Sequence, residues 1–186
     1  LSTKLNIPKL FPLCGIYETA DHKEIEQNYG KAVQAMYPIK GKRTRHYAFY
    51  DELDIKQLSE DRLMEDVFED ALKNGEFQLW YQPKVDPVTG NILGAEALIR
   101  WKRPDGTMLS PGKFIPLFEK NGNITTLDEY VFRTVCAQQQ RWLQAGAKLY
   151  PISVNISRVS LYYSNVVDKY REILNSFQLD PKYVPL

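Results

Sequence analysis

GAEALIRW, residues 94–101, sits inside the longer run NILGAEALIRW (91–101), and the alternation of that run decides the fold. Strand side chains point to opposite faces in turn, so the run divides by parity. Leu93, Ala95, Ala97, Ile99 and Trp101 form one wholly apolar face. Ile92, Gly94, Glu96, Leu98 and Arg100 form the other, with a carboxylate and a guanidinium on it. A strand covered on both faces, by helices outside and by a barrel interior inside, belongs to an α/β barrel. Facing inward, Glu96 and Arg100 are costly unless they pair with each other or serve a ligand. The strand alone leaves both readings open.

The neighbouring sequence extends the pattern. FQLWYQPKV (77–85) reads as a strand and DPVTGN (86–91) as a turn, so 77–101 predicts an antiparallel hairpin. RPDGT (103–107) is a second turn. SPGKFIPLFEKNG (110–122) predicts a short helix with Ser110 as cap and Pro111 at its first position. Thr126-x-x-Glu129 has the form of a capping box opening a helix that bears Leu127, Val131, Val135 and Trp142. PISVNIS (151–157) predicts a short strand with Asn155 at its end. SNVVDKYREILNSF (164–177) predicts an amphipathic helix with Val166, Val167, Tyr170, Ile173, Leu174 and Phe177 on one stripe, and KYVPL (182–186) begins a further strand. Helix, helix, strand, helix, strand is the order of a parallel α/β architecture.

Residues 1–50 read as a separate unit. FPLCGIY (11–17) and HYAFY (46–50) predict strands. Residues 24–37 predict a helix with Ile25, Tyr29, Ala32, Val33 and Met36 on one face, stopped by Pro38, and GKR (41–43) predicts a turn. Two strands and one helix close no core alone, so this unit is expected to be the end of something longer. Residues 51–62 are charged and read as a linker or connecting helix, followed by a helix over 63–75 that ends at Asn74-Gly75.

Composition narrows the function classes. With 24 Lys and Arg against 23 Asp and Glu, the net charge of +1 gives no footprint for DNA, RNA or a membrane surface. Cys14 and Cys136 have no metal or disulfide spacing and read as small hydrophobes in a reducing compartment. His22 and His46 stand apart, against zinc or a Ser-His-Asp triad. There is no apolar run of membrane-spanning length, no signal peptide and no initiator methionine. The chain is therefore expected to be an excised piece of a longer protein. A carboxylate at Glu96 and an amide oxygen at Asn155 are hard donors, suited to Mg²⁺, Mn²⁺ or Ca²⁺.

YQPKV, GAEALIRW, LSPGKFIPLFEKNGNI and SVNISRVSL follow one another in an order and spacing that closely resemble the first half of an EAL domain, the cyclic-di-GMP phosphodiesterase family. The resemblance covers residues 63–186. It implies a partial TIM-like (β/α) barrel whose first strand is antiparallel to the second. It implies metal binding of Mg²⁺ or Mn²⁺ by Glu96 and Asn155, and contacts to cyclic-di-GMP from Gln82, Leu98, Arg100 and Pro111. The activity implied is hydrolysis of cyclic-di-GMP to linear pGpG. The family's remaining ligands fall beyond Leu186, so no catalytic residue is assigned within the chain and the chain alone is expected to be inactive. Residues 1–50 resemble, more distantly, the tail of a GGDEF domain, the α+β diguanylate cyclase family. Val33 where an aspartate is usual, and Pro38, mark that tail as degenerate. The implied partners are cyclic-di-GMP and a second copy of the parent protein. The implied location is the cytoplasm, including the cytoplasmic part of a membrane-anchored parent. The alternatives are a noncatalytic cyclic-di-GMP receptor or interaction module and, without the resemblance, another TIM-barrel hydrolase such as a glycosidase, which would need a second carboxylate across from Glu96.

Overall fold

The computed structural model describes residues 12–19, 23–40, 46–52, 55–162 and 165–186. His22 and the turn expected at 41–43 lie outside them. The chain divides into two compact units, Leu1–Glu60 and Asp61–Leu186.

In the first unit, β1 (Cys14–Ile16) and β2 (Tyr47–Phe49) pair in parallel, with Gly15 opposite Ala48. Helix α1 (Ile25–Met36) packs on them. Gly15 has to be a glycine here, because a Cβ would stand 1.7 Å from the Ala32 carbonyl oxygen. The small core is Ala35, Ile39 and Ala48. The helical face expected from the sequence is corrected in part: Ile25 and Tyr29 are exposed, at 73% and 72%. Pro38 ends the helix as expected, in a 3-10 turn over Tyr37–Ile39.

Helix α2 (Ile55–Asp66) runs through the charged stretch, and α3 (Phe68–Lys73) follows after Val67. The second unit is built on a mixed sheet. β3 (Phe77–Val85) and β4 (Ile92–Lys102) form the expected antiparallel hairpin. Asp86 holds its turn by accepting the N–H groups of Val88 and Thr89 at 2.8 and 3.0 Å. The short β5 (Met108–Leu109) adds to the end of β4, and β6 (Ile152–Val154) pairs with β4 in parallel. Helix α4 (Pro111–Asn121) starts at Pro111 as expected, although Ser110 makes no side-chain capping bond. Helix α5 (Ile124–Gln144) and α7 (Val166–Ser176) pack together, and the one-turn α6 (Arg158–Leu161) precedes α7.

The parity argument for β4 holds from Ala95 onward, while Leu93, expected on the apolar face, is 57% exposed. Ala97, Ile99 and Trp101 are 3%, 9% and 0% exposed and enter the main core, while Glu96, Leu98 and Arg100 are half-buried on the other face. Phe68, Phe77, Trp101, Phe114 and Phe118 build a cluster with ring centroids 4.7–6.4 Å apart, spanning α3, β3, β4 and α4. Burying such a ring contributes about 1.5–3 kcal/mol, and each favourable ring pair about 0.5–1.5 kcal/mol more. This cluster fixes the outer face of the hairpin and leaves the even-numbered face free to carry chemistry.

Three local expectations are corrected. The capping box at Thr126 and Glu129 does not form, because α5 begins three residues earlier, at Ile124 rather than Leu127, and Glu129 pairs with Arg133 and Lys169 instead. Val167 and Trp142 are partly or largely exposed, while Val166, Tyr170, Ile173, Leu174 and Phe177 pack as expected. Residues 182–186 do not start as a strand: the Asp180 carboxylate accepts the Lys182 N–H and turns the chain into a 3-10 helix over Pro181–Tyr183. The chain then comes alongside β6, where the Val154 N–H donates to the Pro185 carbonyl at 2.9 Å.

Candidate functional site

The even-numbered face of β4 and the end of β6 bring the chemistry together. Glu96 lies opposite Gln82 on β3 and opposite Ser153 on β6. Val154 is the last residue of β6 in register with β4, opposite Ala97, so Asn155 leaves the ladder just past Glu96. Its amide Nδ2 donates to Glu96 Oε1 at 2.8 Å. Gly94 makes the approach of the two strands possible, since a Cβ there would stand 2.6 Å from the Pro151 carbonyl oxygen. Lys84 Nζ donates to Ser153 Oγ at 2.7 Å across the same face.

Arg100 does not pair with Glu96. It donates from NH1 to the Ile99 carbonyl at 2.8 Å, and its guanidinium stands 5.9 Å from the Trp80 ring centre. Among the described residues no cation lies within ion-pair distance of Glu96. A carboxylate left half-buried without a counter-charge, against an amide, is a site for something that supplies positive charge or hydrogen.

Leu98, Pro111 and Asn155 line one cavity of about 290 Å³, together with Asp128 and Ser157. Gln82, Glu96 and Arg100 are not in its lining; Gln82 is exposed on β3, and Glu96 reaches the cavity only through its bond to Asn155. Sequence reasoning missed Asp128, which is 6% exposed. Its Oδ2 accepts from the Ser157 N–H at 2.9 Å and from Ser160 Oγ at 2.7 Å. The signal was an aspartate in the helical row Ile124, Asp128, Phe132, whose other members are wholly buried.

Glu96 and Asn155 fit part of a hard-cation site. Turning the Asn155 amide over would exchange its nitrogen for oxygen and face two oxygens toward one point. Oxygen donors of this kind suit Mg²⁺ or Mn²⁺. No group of three His, Cys, Asp or Glu gathers among the described residues, so the pair falls short of the octahedral donor set such ions take.

Comparison with known proteins sets these residues in context. The EAL domain family matches residues 65–184. MucR of Pseudomonas aeruginosa, a bifunctional diguanylate cyclase/cyclic di-GMP phosphodiesterase, is 33% identical over 153 residues, which is 82% of this chain and 22% of MucR. PdeB of Escherichia coli, a probable cyclic di-GMP phosphodiesterase, is 34% identical over 118 residues, 63% of this chain and 23% of PdeB. The structure of the P. aeruginosa MucR phosphodiesterase in complex with c-di-GMP superposes with a TM-score of 0.61 at 34% identity, covering 66% of this chain and 49% of that one. The chain thus spans about a fifth of the length of the curated relatives it matches. With the hairpin, the parallel β6 and the Glu96–Asn155 pair all inside the matched range, the chain belongs to the EAL domain family.

Proposed function

We propose that this chain belongs to a cyclic-di-GMP phosphodiesterase and supplies the first half of its barrel. The observation that carries the reading is the Glu96–Asn155 contact at 2.8 Å, in which a carboxylate from the middle of β4 meets, just past the carboxyl end of parallel β6, an amide whose oxygen would face the same point once the amide is turned over. Similarity to MucR and PdeB, both described as acting on cyclic di-GMP, supports the substrate. In this reading residues 63–186 are the N-terminal half of an EAL domain with a TIM-like (β/α) barrel, and 51–62 connect it to what precedes. Residues 1–50 are the end of a degenerate GGDEF-like domain. That assignment is supported by a match to MucR of 153 residues, longer than the stretch from 65 to the end of the chain.

Glu96 and Asn155 would hold divalent metal, Mg²⁺ or Mn²⁺. Such ions, when bound, activate water and stabilise the leaving oxygen of a phosphodiester. Arg100 would neutralise phosphate charge with a planar guanidinium that matches two oxygens. Its present bond to the Ile99 carbonyl leaves its remaining N–H groups for that role. Gln82 would hydrogen-bond the dinucleotide from β3, while Leu98 and Pro111 would form the apolar wall of the cavity against it. Water adds across one of the two phosphodiester bonds, and linear pGpG leaves with a terminal phosphate. Further metal ligands would come from the rest of the EAL domain, which is why the chain by itself is assigned no turnover. The protein would act in the cytoplasm, and the complete protein would form a homodimer.

The test is to incubate a protein carrying this chain within a complete EAL domain with cyclic-di-GMP and Mg²⁺ or Mn²⁺ and to follow pGpG. Metal-dependent product that vanishes in Glu96→Gln supports the enzyme. Cyclic-di-GMP binding that depends on Arg100 but yields no pGpG would replace the enzyme with a receptor.

A further inference from the structure

We propose that Asp128 is a positioning residue that sets Asn155 against Glu96 through the turn joining β6 to α6. The inference rests on the reading of Glu96 and Asn155 as metal ligands. β6 is only three residues long, and its register with β4 ends at Val154. From there the backbone ladder no longer determines where the Asn155 side chain lies. Ser157, two residues on, is the cap of α6: its Oγ accepts the Ser160 N–H at 3.1 Å. Asp128, from α5, grips both ends of that one-turn helix. Its Oδ2 accepts the Ser157 backbone N–H at 2.9 Å and the Ser160 hydroxyl at 2.7 Å.

Among the described residues, Glu96 on β4 and Asp128 on α5 are the side chains from outside α6 that hydrogen-bond to the 155–157 turn, and Ser157 Oγ also donates to Ser160 Oγ within α6 at 3.1 Å. Asn155 is therefore held between a ladder that stops one residue before it and a clamp that begins two residues after it. A four-residue helix makes too few internal bonds to hold that geometry alone. Asp128 also lines the cavity that Asn155, Leu98 and Pro111 share, so the clamp and the site are adjacent. Groups that orient a metal ligand from behind change metal affinity or activity by about 10- to 100-fold when removed.

Both bonds end on the same carboxylate oxygen. An asparagine can place its amide oxygen there and accept both, whereas an alanine can accept neither. The experiment uses the protein carrying this chain within a complete EAL domain. Mn²⁺ affinity is measured by calorimetry, cyclic-di-GMP binding is measured without metal, and thermal unfolding is followed for wild type, Asp128→Ala, Asp128→Asn and Ser160→Ala. Asp128→Ala should weaken Mn²⁺ binding by about 10- to 100-fold and metal-free cyclic-di-GMP binding by a much smaller factor. Asp128→Asn should restore Mn²⁺ affinity, and Ser160→Ala should lose part of it. If Asp128→Ala does not fold, Asp128→Asn and Ser160→Ala carry the decision: wild-type affinity in the first with weakened Mn²⁺ binding in the second supports the clamp. A folded Asp128→Ala with wild-type Mn²⁺ affinity overturns the inference and leaves the metal reading standing. Equal loss of Mn²⁺ and cyclic-di-GMP binding also overturns it, as general damage to the fold. A wild-type protein that binds no Mn²⁺ removes the metal reading itself, and the inference with it.

Discussion

Replacing Gly94 by alanine tests the packing that brings β4 and β6 together. The new Cβ would stand 2.6 Å from the Pro151 carbonyl oxygen, which is backbone and has no rotamer to escape into. An ordinary carbon–oxygen contact is about 3.3–3.6 Å, so the two segments must part by roughly 0.7–1.0 Å. The next bond in line, from the Ala95 N–H to that same Pro151 oxygen, is 2.9 Å long. The same displacement stretches it beyond hydrogen-bonding range. Overpacking of this kind costs about 1–3 kcal/mol and the lost backbone bond about 1 kcal/mol, so a destabilisation of about 2–4 kcal/mol is expected. Urea unfolding of wild type and Gly94→Ala measures it. Gly112→Ala is the control, because its Cβ would meet no atom within 4 Å on helix α4, and it should be neutral or stabilising by up to about 1 kcal/mol. Glu96 and Asn155 lie just downstream on the same two segments, so their 2.8 Å contact should open as well and metal-dependent turnover should fall by about 10²-fold. A Gly94→Ala protein as stable and active as wild type would refute the close approach.

Two further outcomes follow from charge and burial. Burial of Glu129 pushes its carboxyl up, but the hydrogen bonds and charges of Lys169 and Arg133 outweigh it and hold it below the ordinary carboxylate range. A depressed folded value means the stabilisation is present above the unfolded value and lost as pH falls through the folded one. Glu129→Gln should therefore cost about 0.5–1 kcal/mol at pH 7, with the difference from wild type shrinking below pH ~4.3 and vanishing in stronger acid; a difference constant with pH would exclude the ion pairs as its source. Burial pushes the Cys136 thiol up to about 12, whereas Cys14 is exposed. Iodoacetamide at pH 8 should alkylate Cys14 in the folded protein and Cys136 only after denaturation, as read by peptide mass spectrometry; rapid native labelling of Cys136 would contradict its burial.

The hairpin was legible because two-residue alternation runs on both sides of a turn-rich spacer, although β4 runs over Ile92–Lys102 rather than 91–101 and the register shift at Lys84/Val85 was not read. The apolar Ala97, Ile99 and Trp101 face was legible for the same reason, and it implied that Glu96 stood on the other side. What the sequence did not resolve were choices made by competing partners. Thr126 reads as the cap of α5, yet the helix already starts at Ile124, a buried apolar residue upstream of it, and Glu129 pairs with Lys169 and Arg133. KYVPL looks extended until the Asp180 carboxylate closes a turn on Lys182. The face of α1 was misread because Ala35, a small residue, is buried there while Ile25 and Tyr29 are not. For the candidate site, residue types and order were legible, but the joining of Glu96 to Asn155 rather than to Arg100 was not. Those residues are far apart in sequence, and only the parallel pairing of β6 with β4 brings them together.

The most direct measurement is a crystal structure of this chain within a complete EAL domain, grown with Mn²⁺ and recorded at the manganese edge. The account predicts an anomalous peak at roughly the 2.1 Å of a hard-cation oxygen bond from both Glu96 and Asn155, with the Asn155 amide turned so that its oxygen, not its nitrogen, faces the ion. A peak elsewhere, or Asn155 still donating to Glu96 with manganese bound at other residues, would contradict it.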